Sequence, residues 1–243
     1  MTDMVPPADF ARFDSDYLVK YIENDYLVNY GSLMASKVPS SPRPQRTRTV
    51  LIAAGLDLLV DRPIDAIPID DLVARAGVAK GSFFNHFADK HDFAAAVAAE
   101  VRMEVETAVA RANAGVADPV ERIAGGMAVA ARFAVDQPRR TMVLLRSQVP
   151  ATSQTHPLNR GLSEDIDAAL AQGLLRPEAA SSGLIYWLGL CQMLMVHIIE
   201  TRSSPTLASE RLGEMLLLGL TGLGVPTARA EDLSRLARLP LDG

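Results

Sequence analysis

Between Lys80 and Phe87 the chain reads Lys-Gly-Ser-Phe-Phe-Asn-His-Phe, a cluster of the side-chain types that grip a nucleic-acid duplex. The Lys80 ammonium suits a phosphate or a guanine edge, and Gly81 lets a backbone come close to DNA. Ser82 and Asn85 are short hydrogen-bonding groups for base edges or phosphates, and a carboxamide such as that of Asn85 matches adenine. Arg43, Arg46 and Arg48 lie upstream, while Lys80 and Lys90 bracket the cluster. Each charge alone reads as solvated surface. Gathered around one motif, they read as phosphate contacts.

Catalytic chemistry finds little to work with. There is no Gly-x-Ser-x-Gly elbow, no P-loop and no His-Glu-x-x-His zinc helix. His197 and Glu200 stand three apart on an apolar helical stretch, but two ligands do not make a metal site. The four histidines and one cysteine leave few nucleophiles or proton shuttles, so neither enzyme activity nor a cofactor or metal is expected. A formal net charge of −5 argues against a general nucleic-acid coat protein, which is basic throughout.

The cluster needs elements to hold it. Leu72, Val73 and Ala76 space one apolar helix face, Gly77 supplies a left-handed stop, Val78 plugs the elbow, and a second short helix begins at about Lys80. This is a helix-turn-helix pattern, in which the second helix enters a major groove. Upstream, Val50, Leu51, Ala54, Leu58 and Leu59 mark a helix from Gln45 to about Asp61, ended by Arg62-Pro63. Pro68 suits a first helical turn, with Asp70 and Asp71 at the positive end of the dipole. Downstream, a long helix is expected from Lys90 to about Ala114, then helices near 118–136, 139–149, 158–175, 178–201, 207–223 and 229–238. Pro119, Pro138, Pro150, Pro157, Pro177, Pro205 and Pro226 fall at or near these boundaries. Half the residues are hydrophobic, few are aromatic, and no stretch alternates with period two, so the expected fold class is all-α. The expected organisation is an extension and linker at 1–42, a helix-turn-helix head at 43–92 and a larger helical body at 93–243.

The segment Gly-Val-Ala-Lys-Gly-Ser-Phe-Phe-Asn-His-Phe-Ala-Asp-Lys, residues 77–90, resembles the TetR family of bacterial ligand-responsive repressors. That family's pattern is Gly-Val-(Ser/Ala)-Lys-Gly-Thr-(Leu/Phe)-Tyr-Tyr-His-Phe-x-x-Lys, and the likeness runs from about Gln45 to Val97. The resemblance implies that Phe84, Asn85 and His86 face DNA and that Lys90 grips a phosphate. Three departures alter what is read: Phe84 replaces a tyrosine and its hydroxyl, Asn85 replaces a frequent aromatic, and no Ser or Thr hydroxyl stands near Pro68. The same resemblance implies a homodimer joined through its last two long helices, here Glu178–Thr201 and Leu207–Leu223, reading a palindromic operator on double-stranded DNA. It also implies a small-molecule effector held between the middle helices, around Met127, Phe133, Met142, Leu145, Trp187 and Met193. Arg146, His156, Gln192 and His197 are candidate polar anchors. Such a lining suits a hydrophobic or amphipathic molecule, whose binding shifts the heads to a spacing that no longer matches the operator. The competing reading is a relative that has lost DNA binding and acts through protein contacts.

Residues 1–42 do not resemble the family. They hold a short repeat, Asp16–Tyr21 and Asp25–Tyr30, carrying four of the chain's five tyrosines. Three readings stay open: an ordered helical arm, a disordered tail, or a start codon assigned too early, with Met34 as the alternative. Cys191 reads as a buried small hydrophobe in a reducing compartment, which fits a cytoplasmic protein. The uncharged run from Ala179 to Ile199 is nearly long enough to span a bilayer, but its Ser181, Ser182, Gln192 and His197 favour a buried interface helix.

Overall fold

Prolines and polar caps divide the chain much as their spacing suggests. The computed structural model describes residues 42–146 and 157–237, and these form α-helices and short 3-10 turns with no strand among the described residues. The head comprises α1 (Pro42–Leu59), a 3-10 turn (Ile64–Ala66), α2 (Ile69–Ala76) and α3 (Lys80–Phe84). A long helix, α4 (Lys90–Ala112), leads into α5 (Pro119–Asp136) and α6 (Pro138–Arg146). A second 3-10 turn (Pro157–Asn159), α7 (Arg160–Ala171), α8 (Ala179–Thr201), α9 (Pro205–Gly222) and α10 (Thr227–Ala237) complete the body. The expectations for residues 1–41, Pro150 and His156 lie outside the described residues.

The helix starts follow local chemistry. The Asp89 carboxylate accepts hydrogen bonds from the His91 and Asp92 amides at 2.7 and 2.9 Å, which caps α4. These bonds hold its carboxyl below the usual range. Asp118 caps α5 and Ser204 caps α9, each followed by a proline whose missing N–H costs nothing at the first helical position. Pro68 stands just ahead of α2 rather than inside it and makes no side-chain cap. The one helix much shorter than expected is α7. It closes at Ala171 and the chain turns through Gly173 at φ +68°, a conformation that glycine adopts without strain.

Two apolar clusters organise the chain from Gln45 onward, which forms one compact unit. In the head, Leu51, Leu72, Phe83, Phe87, Phe93 and Val97 are almost fully buried together, and the cluster continues along α4 through Val101 and Val105 to Phe133 and Val143. The head therefore has no clean boundary near residue 92, because α4 belongs to both clusters. In the body, α5 lies centrally against α4, α7, α8 and α9, with Met127, Trp187, Leu194, Leu212 and Leu216 buried. Helix α8 is long and apolar enough to cross a membrane by length and composition alone, with a mean hydropathy of 1.6. Its apolarity has another account: Leu184, Trp187, Leu194 and Ile198 enter the body core, while Ile185, Tyr186 and Met193 lie on the outer face.

Helices α1 and α4 meet at Gly55. A Cβ built there would overlap the Phe93 ring and stand 2.9 Å from Val97 Cγ2. The residue is glycine because the Phe93 and Val97 side chains fill the space that a methyl group would need. Gly55→Ala is expected to destabilise the head by about 1–3 kcal/mol through overpacking. A lowered thermal midpoint in circular dichroism checks this; an unchanged midpoint would mean that Phe93 has space to yield.

Candidate nucleic-acid interface and body cavity

The turn between α2 and α3 is built from backbone hydrogen bonds. Gly77 takes φ +66°, its amide donates to the Ala74 carbonyl at 3.2 Å, and the Val78 amide donates to the Val73 carbonyl at 3.0 Å. This pair of bonds is a Schellman stop, and it releases the chain into α3. Helix α3 spans only five residues, with Asn85 as its C-cap. The His86 and Phe87 amides still donate to the Phe83 carbonyl, at 3.0 Å each, so the cluster continues as a turn.

An aromatic knot fixes the depth and tilt of this segment. Phe83 is wholly buried, with its ring centroid 5.5 Å from that of Phe87 and 5.4 Å from that of Phe93. Phe87 and Phe93 meet edge to face at 4.9 Å. With these rings inward, Lys80, Gly81, Phe84 and Asn85 point to solvent, and Ser82 and His86 are half-buried beside them. Phe84 is 53% exposed, a high value for a phenylalanine, and its ring stands at the outer edge of the knot.

The cations are less free than their sequence positions suggest. Lys80 Nζ pairs with Asp70 Oδ1 at 2.8 Å, both side chains well exposed. Lys90 Nζ donates to the Asp65 carbonyl oxygen at 3.1 Å and lies 3.5 Å from its carboxylate, tying the start of α4 to the 3-10 turn. Arg46 is exposed, whereas Arg48 lies over the Phe87 ring with its guanidinium carbon 5.5 Å from the centroid. Burial lowers the pKa of His86, and the nearby Arg48 charge lowers it further. Both effects favour the neutral imidazole, which can donate and accept.

The body contains a cavity of about 680 Å³. Its walls come from α4, α5, α6, α7, α8 and the Pro157–Asn159 turn. Val105, Ile123, Leu144, Leu145, Trp187 and Leu188 supply apolar surface. Polar wall residues arrive in pairs: Arg102 Nε lies 2.7 Å from Glu106 Oε1, and Arg122 Nε lies 2.6 Å from Asp165 Oδ1. Burial pushes both carboxyls upward, and the adjacent guanidiniums oppose that shift. The Cys191 thiol also lines the wall, and burial pushes it up to about 12, so it is an unreactive surface there.

Of the side chains expected at a ligand, Trp187 lines this cavity, whereas Met127, Phe133, Met142, Arg146 and Met193 do not. Met127 is fully buried in the body core, and Phe133 belongs to the apolar seam shared with the head. Met142 is half-buried on α6, away from the wall that Leu144 and Leu145 form. Arg146 is exposed and donates to the Leu59 carbonyl oxygen at 3.3 Å, linking α6 to α1. Met193 is 56% exposed on the outer face of α8. Among the other expected side chains, Leu145 and Gln192 reach the wall and His197 does not. The ion pairs of the wall were missed. Arg102 and Glu106 at i,i+4 left a faint trace, but Arg122 and Asp165, 43 positions apart, left none.

The comparisons agree with this architecture. Residues 51–97 match the family model described as bacterial regulatory proteins, tetR family. Within the head, the chain is 45% identical over 42 residues to the uncharacterized HTH-type transcriptional regulator YwcC of Bacillus subtilis (strain 168). That match covers 17% of this chain and 19% of the relative, so it concerns the head alone. A TetR-family transcription regulator from Shewanella sp. PV-4 shares the fold with a TM-score of 0.63 at 17% identity, over 73% of this chain and 97% of that one. RolR in complex with resorcinol shares it with a TM-score of 0.54 at 20% identity, over 79% of this chain and 94% of RolR. Residues 51–97 thus match the DNA-binding head of the TetR family of bacterial regulatory proteins, and the all-helical body shares the fold of these solved structures.

Proposed function

We propose that this transcription regulator binds a palindromic operator as a homodimer and represses until a small apolar or amphipathic molecule enters its body cavity. The observation that carries the reading is the position of the cavity. Two of its walls, α4 and α6, are the helices that hold the head. Arg139 on α6 lies 2.6 Å from Asp61, Arg146 reaches the Leu59 carbonyl, and Arg140 pairs with Glu104 on α4. A molecule that favours one arrangement of these helices favours one placement of the head. The solved complex of RolR with resorcinol supports a small-molecule occupant, since RolR shares the fold.

The reading assigns base and phosphate contacts to Ser82, Phe84, Asn85 and His86, with Lys80, Gly81, Arg46 and Arg48 against the backbone. Without a hydroxyl, Phe84 meets a thymine methyl rather than a phosphate. An exposed ion pair such as Lys80–Asp70 contributes about 0–1 kcal/mol, so a phosphate readily displaces the carboxylate. Lys90 is a weaker candidate, because its tie to Asp65 already positions α4. The two lysine–aspartate pairs are also what favours the competing reading, a regulator acting through protein contacts. The second copy is assigned to the outer face of α8 and α9, where Met193, Leu207 and Leu218 are each more than half exposed. A two-fold dimer of this kind reads half-sites about 34–36 Å apart. Such a protein works in the cytoplasm, where DNA and thiol-reducing conditions coexist.

Fluorescent DNA from upstream of its own gene, titrated against a scrambled duplex at fixed salt, tests the reading. Binding tighter to the native fragment by about a thousandfold is expected of a specific regulator. Equal, weak binding to every genomic fragment tried would favour the competing reading. Asn85→Ala is expected to cost about 1–3 kcal/mol on the operator and little on scrambled DNA. Leu218→Arg places a charge in the proposed interface. It is expected to yield monomers by light scattering and to weaken operator binding while the helical signal persists; an intact dimer would move the interface elsewhere.

A further inference from the structure

We infer that the cavity selects an uncharged amphipathic molecule and turns away carboxylates, phosphates and ammonium ions. This rests on the reading of the cavity as an effector site and narrows it to one class of occupant.

The inference follows from how the wall's charges are spent. Arg102 directs Nε to Glu106 and Nη2 to the Asn159 carboxamide oxygen at 3.2 Å. Arg122 directs Nε to Asp165 and Nη1 to the Val116 and Ala117 carbonyl oxygens, at 2.9 Å each. Both guanidiniums thus have protein acceptors and a carboxylate in contact. The remaining ionised wall residue, Glu164, is exposed and lies 3.7 Å from Arg160 along α7. Within the enclosed part of the cavity, two positive charges are matched by two negative ones.

An anion entering this space finds each guanidinium already neutralised. To gain a cation it must displace Glu106 or Asp165, leaving a carboxylate buried without its partner. An ammonium ion faces the mirror problem, because each carboxylate already has its arginine. Either ion also sheds its own hydration shell, which an uncharged group gives up at much lower cost. A hydroxyl fits the wall as it stands: it donates to a carboxylate lone pair and accepts from the Gln192 carboxamide, which also lines the cavity. The apolar body of such a molecule lies against Val105, Ile123, Leu144, Leu145, Trp187 and Leu188.

Trp187 is the chain's single tryptophan and stands in the wall, so its emission reports occupancy. Octan-1-ol, octanoate and octylammonium, titrated into the full chain at neutral pH and constant ionic strength, differ only at the head group. Octanol is expected to bind at least about tenfold tighter than either ion. Octanoate or octylammonium binding as tightly as octanol overturns the selection while leaving an effector cavity in place. No change in Trp187 emission and no heat with any of the three overturns the effector reading, and the selection with it. Glu106→Gln and, independently, Asp165→Asn each free one guanidinium. In either variant that keeps its cooperative melt, the ratio of octanoate to octanol affinity is expected to rise about tenfold. An unchanged ratio in both overturns the assignment of selectivity to these ion pairs.

Discussion

The aromatic knot of Phe83, Phe87 and Phe93 is the contact on which the DNA-reading surface depends. A five-residue helix such as α3 has no stability of its own, since isolated helices shorter than about 12–15 residues are marginal in water. What fixes it is one side: Phe83 and Phe87 are driven inward against Phe93 on α4, each aromatic pair adding about 0.5–1.5 kcal/mol beyond its area burial. With that side anchored, Gly81, Phe84 and Asn85 have only solvent to face. Arg48 packs on the Phe87 ring from α1 and is the main charge felt by His86, so one cation serves both the packing and the chemistry of the surface. The Gly77 turn sets where α3 begins, and the knot sets which way it looks.

Much of the scaffold was legible in the residues. Asp118-Pro119 and Ser204-Pro205 mark helix starts because a polar cap followed by proline satisfies the first turn, and the helices begin there. Gly77 was readable because a left-handed stop favours glycine. Phe83 carries no such mark, because the Phe83-Phe84 pair gives no cue to which ring turns inward. The cavity was not legible. An apolar stripe on a helix looks the same whether it meets a neighbour or a void, so Met127 and Phe133 stood out by size and proved to be packing. Arg122 and Asp165 come together only through the pairing of α5 with α7, and nothing local announces that pairing.

Charge placement separates two roles that composition blurs. At the head, Lys80–Asp70 is well exposed, and high dielectric keeps such a pair weak enough for a competing phosphate to exchange with the carboxylate. In the body, Arg102–Glu106 and Arg122–Asp165 are largely shielded, and the same kind of pair becomes hard to open because either member left alone would be a buried charge. The exposed pair exchanges its partner at little cost, whereas the shielded pairs along the cavity do not. The net charge of −5 is a sum over the whole chain and describes neither surface.

Helix α4 joins these two regimes in one element of 23 residues. Its first turn is fixed by the Asp89 cap, by Asp92 accepting from the Ala88 amide at 2.9 Å, and by Lys90 on Asp65. Phe93, Val97, Val101 and Val105 recur at four-residue steps and carry the head cluster along one side. Arg102 and Glu106 recur at the same step on the cavity side, with Glu100 and Glu104 near Arg140 of α6. A helix so tied has few ways to yield except as a rigid body, because bending it would open backbone hydrogen bonds in a packed interior. An occupant that hydrogen-bonds to the ion pairs without breaking them can act on α4 only by taking up space between α4, α6 and α8. Under the proposed function, the energy available to move the head is then the difference in fit between two positions of α4, a quantity set by the shape of the apolar wall more than by its charges.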